Sequence, residues 1–202
     1  RLIIDALPAL PDDVHYLAVG AGPEEPRMRE QITALGLTHR VHFAGRLPHD
    51  TLPEVMSLAD LYVQPSIGEE SFGIGALEAM ACGTPVVTSN VSSLPEVAGD
   101  AALLVNPYDP HDIAEAVRRI VTDDALAATL RELPPARYVG IDLSAPALDE
   151  AAVALAGLPD IVLREQDMVE AAAELGGGED PLVLLVGGVA LGQAGERWRA
   201  VE

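Results

Sequence analysis

The stretch PSIGEESFGIGALEAMACGTPVVTSNVSSLPE, residues 65–96, decides the fold. A β-prone run, Leu61 to Val63, leads into a polar loop carrying Glu69 and Glu70. Beyond Phe72 a helical pattern begins, with Ile74, Leu77 and Ala81 on one stripe. Gly83 ends it, since glycine takes the left-handed conformation that closes helices. Thr84-Pro85 blocks continuation, and Val86-Val87 opens another strand. Strand, acidic glycine-containing loop, helix and strand make a βαβ unit, whose loops line the ligand crevice of α/β proteins.

Two carboxylates stand out in this unit. Glu70 lies in the loop, and Glu78 follows eight positions later, inside the helix. Glu78 is three residues past Gly75 on nearly the same azimuth, so a ligand above Gly75 is within reach of its carboxylate. Gly73 and Gly75 remove side chains where the helix starts, which is expected to let a ligand approach backbone N–H groups. Those groups and the helix dipole favour an anion. Acids beside an anion site make sense as acceptors for hydroxyls, which suggests a phosphorylated sugar or nucleotide. Spacing alone leaves open the alternative that Glu69 and Glu70 are solvated loop acids and Glu78 a surface helix residue.

ESFGIGALEAMACGTPVV, followed by SNVSSLPEVAGDAALLVNPYD, resembles the E-x7-E region of retaining GT-B glycosyltransferases, the large family 4 group. Upstream, AVGAGPEEPRMREQITALGLTHRVHFAGRLPHDTLPEVMSLADLYVQPS is similar to the nucleotide-sugar-binding domain of that family. The resemblance covers roughly residues 1 to 132. It implies that Glu70 contacts donor-sugar hydroxyls and that Glu78 holds the ribose. It implies that backbone amides around Phe72 and Gly73, taking in Ser71 and Ile74, serve the sugar and diphosphate. Backbone at Arg46-Leu47 is expected near the base. No residue is assigned as a protein nucleophile or acid/base pair. The ligand implied is a nucleotide-diphosphate sugar, with no metal.

Composition sets the outer limits. The 202 residues are 49% hydrophobic and 3% aromatic, so the expected core is built from Ala, Val and Leu. The net charge is −20, and all 12 cationic side chains are arginine. A chain this acidic lacks the electrostatic footprint for DNA or RNA. It also lacks a polybasic membrane patch. The single cysteine, Cys82, forbids an internal disulfide and sits on the apolar helix as an inert thiol. No apolar run is long enough to span a bilayer. The chain starts at Arg1 in what reads as mid-helix, so it is taken as an excerpt of cytoplasmic origin. The family resemblance implies an acceptor domain, supplied by an N-terminal segment or a partner chain, through which any peripheral membrane attachment would run. It also implies a first strand and glycine turn with an Arg and a Lys clamping the diphosphate. Without that clamp donor binding is expected to be weak and the isolated chain inactive.

The flanking segments fit the α/β pattern. Residues 1–10 read as the tail of an amphipathic helix, His15 to Val19 as a strand, and Glu25 to Leu35 as a helix closed by Gly36. Gly20-Ala-Gly22 between them hints at dinucleotide binding but lacks the third glycine of that fingerprint, leaving a plain strand-to-helix turn equally open. Val41 to Ala44 is the next strand, and Asp50 is expected to cap a helix from Thr51 to Ser57. Arg46 could face phosphates or be a solvated loop residue, and Arg40 is the other cation near it. His39 and His49 have no metal-ligand spacing with other residues. Ala102 to Val105 is strand-like. Asp109-Pro110-His111-Asp112 is a helix start, with an N-cap Asp, Pro at the first helical position and an acid at the third. A further helix is expected from Asp124 to Glu132.

At Leu133-Pro134-Pro135 the glycosyltransferase resemblance stops. The segment 133–202 is expected to be a partial, second Rossmann-like α/β unit, with strands at Tyr138 to Ile141, Ile161 to Leu163 and Leu182 to Val186, and a helix from about Pro146 to Ala156. It resembles the middle of a class I S-adenosylmethionine-dependent methyltransferase. That resemblance implies that Asp142, at a strand end, binds ribose hydroxyls and that Asp167 lies by the adenine. Either acid could instead cap a turn. The pattern departs from the family upstream: residues 124–137 hold no glycine where its glycine-rich loop belongs, and Gly176-Gly177-Gly178 comes later, with linker character. The overall expectation is an α/β chain whose first part is the donor-binding half of a glycosyltransferase. A methyltransferase fragment and a non-catalytic α/β binding module are the alternatives. A paired-carboxylate glycosidase fits poorly with Glu78 inside a helix.

Overall fold

A computed structural model describes residues 2–67 and 73–133, together with the backbone of three strands beyond them. The chain divides into two compact units, Arg1–Leu133 and Pro134–Glu202. In the first unit α1 (Leu2–Ala6) runs into a 3-10 turn, Leu7–Ala9, and is followed by β1 (Tyr16–Val19), α2 (Glu25–Ala34) and β2 (Val41–Gly45). A second 3-10 turn, His49–Thr51, leads to α3 (Leu52–Leu58) and β3 (Tyr62–Gln64). Then come α4 (Ile74–Ala81), β4 (Val86–Ser89), α5 (Leu94–Ala98), β5 (Ala102–Val105), α6 (Pro110–Thr122) and α7 (Asp124–Glu132).

Every strand pairing is parallel, as the alternation of strand and helix predicts. β1 pairs with β2, and β3, β4 and β5 form a second sheet with β4 at its centre. All four residues of β4, Val-Val-Thr-Ser, are buried. A parallel strand covered by helices on both faces needs such a run. Its two hydroxyls are accommodated because they donate to the neighbouring chain: Thr88 Oγ1 to the Gln64 carbonyl at 3.1 Å and Ser89 Oγ to the Ser66 carbonyl at 2.7 Å. The core gathers Ile4 and Leu7 from the first turns, Val87 and Val105 from the sheet, and Ile113, Val117 and Ile120 from α6.

The helix boundaries follow local chemistry. Asp109 accepts from the His111 N–H at 2.9 Å, and Asp112 reaches back to the Asn106 N–H at 2.7 Å. The expected start of α6 is therefore closed by two carboxylates, in the manner of a capping box. Asp123 does the same for α7, accepting from the Leu126 N–H at 3.0 Å. Three expectations need correction. Asp50 lies inside the 3-10 turn and does not cap; α3 starts at Leu52, and the preceding Thr51 hydroxyl donates to the Pro48 carbonyl at 2.8 Å. Ile74 is exposed, and the buried face of α4 is Ala76, Leu77, Ala79 and Met80, because β4 and α5 cover that side instead. Arg40 does not face the 45–48 loop. It is 2% exposed, and its guanidinium donates to the carbonyls of Val14 (2.9 Å), Pro11 (2.6 Å) and Leu10 (3.5 Å).

In the second unit β6 (Tyr138–Asp142) lies between β7 (Ile161–Glu165) and β8 (Val183–Leu185), both parallel to it. The helix expected at 146–156 falls outside the described residues. No helix among the described residues is long and apolar enough to cross a membrane.

Candidate functional site

The site is built where α4 leaves the β3 loop. Gly73 precedes the helix at φ +76°, and a Cβ there would lie 2.4 Å from Leu94 Cδ2. Both the backbone and the packing of α5 therefore require glycine. Two residues on, a Cβ at Gly75 would lie 2.4 Å from the Tyr62 hydroxyl oxygen. The space beside each Cα is taken by a side chain, Leu94 for one and Tyr62 for the other, so the two glycines let α4 settle onto β3 and α5. Settled this way, the Ala76 N–H donates to the Gly73 carbonyl at 2.9 Å, while the N–H groups of Ile74 and Gly75 are ones that a helix start does not bond internally.

Beneath that turn runs a line of polar groups at the carboxyl end of β3. The Tyr62 hydroxyl donates to Gln64 Oε1 at 3.3 Å, and Gln64 Nε2 donates to Ser66 Oγ at 3.5 Å. The Tyr108 hydroxyl donates to the Ile67 carbonyl at 3.2 Å. With the Ser89 bond to Ser66, these contacts fix the chain entering the acidic loop. An open cavity of about 420 Å³ lies along the same segment, lined by Val63 to Ile67 together with Leu2, Ile3, Tyr16 and Glu24. It runs beside the strand end and does not include Glu78.

Glu78 sits in the middle of α4 with its side chain only 14% exposed. Burial pushes its carboxyl above the ordinary range, and the charge of His49 pulls it partly back. His49 Nε2 stands 3.6 Å from Glu78 Oε1. That contact spans from the turn after β2 to α4, bringing the segment that carries Arg46 and Leu47 to the helix that carries Glu78. Arg46 itself is exposed and Leu47 half-buried. Cys82, one turn beyond Glu78, is half-buried. Burial raises its thiol, a Ser57 hydrogen bond lowers it, and the Glu78 charge raises it.

Of the residues singled out from the sequence, Gly73, Ile74 and Glu78 share α4 and its entry, with Arg46 and Leu47 three and two positions ahead of the His49 contact. Glu70, Ser71 and Phe72 lie outside the described residues, as does Asp167. Asp142 is the last residue of β6, at the register position opposite Glu165 of β7. His49 was missed as a site residue because it was weighed only as a metal ligand. Its signal was its place in the GRLPHD turn beside Arg46-Leu47. Among the described residues no group of three or more His, Cys, Asp or Glu side chains could hold a metal ion.

A model of the family described as "Glycosyl transferases group 1" matches residues 1–133. The chain belongs to that family. It is 44% identical over 110 residues to 2-deoxystreptamine N-acetyl-D-glucosaminyltransferase of Streptomyces fradiae, covering 54% of this chain and 26% of that protein. It is 37% identical over 130 residues to 2-deoxystreptamine glucosyltransferase of Streptomyces kanamyceticus, covering 62% and 33%. Among solved structures it matches Anabaena Alr3699/HepE in complex with UDP-glucose, with TM-score 0.60, 31% identity, and coverage of 64% of this chain and 37% of that one. The α/β fold with parallel sheets flanked by helices is that of GT-B glycosyltransferase structures. The chain thus spans a quarter to a third of these group 1 relatives, and the family match ends where the first compact unit ends.

Proposed function

We propose that the first unit binds the nucleotide-diphosphate sugar donor of a retaining, family 4-type glycosyl transfer. The observation that carries this is Glu78: a largely buried carboxylate on α4, one turn past its N-terminal glycines and joined through His49 to the turn bearing Arg46-Leu47. A diphosphate placed at the first turn of α4 meets outward backbone N–H groups and the positive end of the helix dipole. Those groups stabilise the charge that grows on the leaving diphosphate as its bond to the anomeric carbon breaks. Glu78, ionised, accepts from both hydroxyls of the ribose, and Glu70 accepts from hydroxyls of the transferred sugar. The base lies by the backbone of Arg46-Leu47. The acceptor hydroxyl attacks the anomeric carbon from the face the diphosphate leaves, so no side chain of this unit acts as nucleophile.

The relatives extend well beyond the matched segment, and we assign acceptor binding and the diphosphate clamp to that remainder. The first unit by itself is expected to bind donor weakly and to turn over none. Calorimetric titration with UDP-glucose and GDP-mannose tests the reading. Glu78→Ala is expected to weaken binding about tenfold or more, since it removes a charge-assisted contact worth roughly 1.5–3 kcal/mol. Equal heats for variant and parent contradict the assignment.

A second reading attaches to the other unit. Asp142 ends the central strand of a parallel sheet, where a carboxylate suits a ribose diol. That placement supports the methyltransferase-like reading, with S-adenosylmethionine as ligand.

A further inference from the structure

We propose that His49 is a positioning residue for donor binding: standing on the turn after β2 and facing α4, its imidazole holds Glu78 in place for the ribose. The inference rests on the donor-site reading and adds a residue to it. Three observations lead there. His49 Nε2 lies 3.6 Å from Glu78 Oε1, inside ion-pair range, and the segments it links are the turn following Arg46-Leu47 and the helix whose entry is Gly73. The Glu78 side chain is 14% exposed while that of His49 is 62% exposed, so the contact pairs a carboxylate withdrawn from water with an imidazole open to it. Burial also disfavours the ionised carboxylate, and His49 supplies the opposing charge.

The other groups around Glu78 do not supply that charge. Cys82, on the same helix, carries a thiol whose release of a proton is held back by burial and by Glu78 itself. Ser57, from α3, is a neutral hydrogen-bond partner of Cys82. Arg46 and Asp50, flanking His49 in its own segment, are exposed. The contact ties the turn to α4, so that the ribose and base contacts are made by segments held together. A pair with one exposed partner is worth about 0.2–1 kcal/mol, which corresponds to an effect of about threefold.

The test is binding of UDP-glucose to the whole chain by calorimetry at pH 7, with GDP-mannose in parallel. His49→Asn is expected to weaken binding about threefold, and His49→Lys, which keeps a cation beside Glu78, to bind at least as tightly as the parent. In the Glu78→Gln background neither change at His49 is expected to alter the dissociation constant further. A side chain with a purely packing role would not give opposite results for Lys and Asn. Lys and Asn variants that bind alike, or an Asn variant that binds as the parent does, overturn the role of His49 and leave the donor site standing. No binding of either nucleotide sugar to the parent overturns the donor reading and this inference with it.

Discussion

Among the described residues of the first unit, Arg40 and Glu78 are charged side chains largely withdrawn from water, and the structure treats them in opposite ways. Arg40, 2% exposed, has its guanidinium surrounded by three backbone carbonyls, and Asp12 lies 3.7 Å from it across the surface. The carbonyls come from the segment joining α1 to β1, so Arg40 ties that segment to the start of β2. Glu78 has one ionic partner among the described residues, the His49 imidazole at 3.6 Å, and burial works against its charge. A guanidinium caged by carbonyls has spent its donors and serves the fold. A carboxylate with acceptor capacity to spare, placed above a helix start, costs the fold something and keeps that capacity for a ligand.

The largest effect that would break this contrast is on Arg40. Arg40→Met leaves the carbonyls of Val14, Pro11 and Leu10 without their buried donors, and urea unfolding is expected to show a loss of about 3 kcal/mol. A loss under about 0.5 kcal/mol would mean that the cage is ornamental. The smallest effect is the converse one. Glu78→Gln removes a buried charge and is expected to leave the urea midpoint at pH 7 unchanged or slightly higher, within about 0.5 kcal/mol. The pH dependence carries the sign. The folded-state carboxyl of Glu78 is raised above its unfolded value, so its contribution to stability is fully present below the unfolded pKa and is lost as pH rises through the folded one. Glu78→Gln should flatten that part of the stability profile. A variant that instead loses stability at pH 7 would place Glu78 with Arg40, among the residues the fold depends on.

The same contrast explains what could be read from the chain. Helix starts were legible because their chemistry is local: Asp109, Pro110 and Asp112 act on N–H groups a few residues away. Strand runs such as Val86-Val87 were legible because burial on both faces leaves an apolar signature. α5 was not anticipated, since five residues give too little periodicity to stand out. The packing at Gly73 and Gly75 was not legible because the atoms that crowd a Cβ there belong to Leu94 and Tyr62, on α5 and β3. Arg40 was misplaced for a related reason. Backbone carbonyls are the same at every position, so a cage made of them leaves no mark on the sequence. Glu78 was found from its spacing to Gly75, but the partner that tells it from a surface acid, His49, arrives only when β2 and α4 are packed into one unit.

Hydrogen exchange measured with and without saturating UDP-glucose tests the central claim most directly. Donor held at the start of α4 and at the turn after β2 predicts slowed exchange at the amides of Gly73 to Leu77 and of Arg46, Leu47 and His49, with β1 and α6 unchanged. Protection absent from both segments while the nucleotide sugar is bound would contradict it.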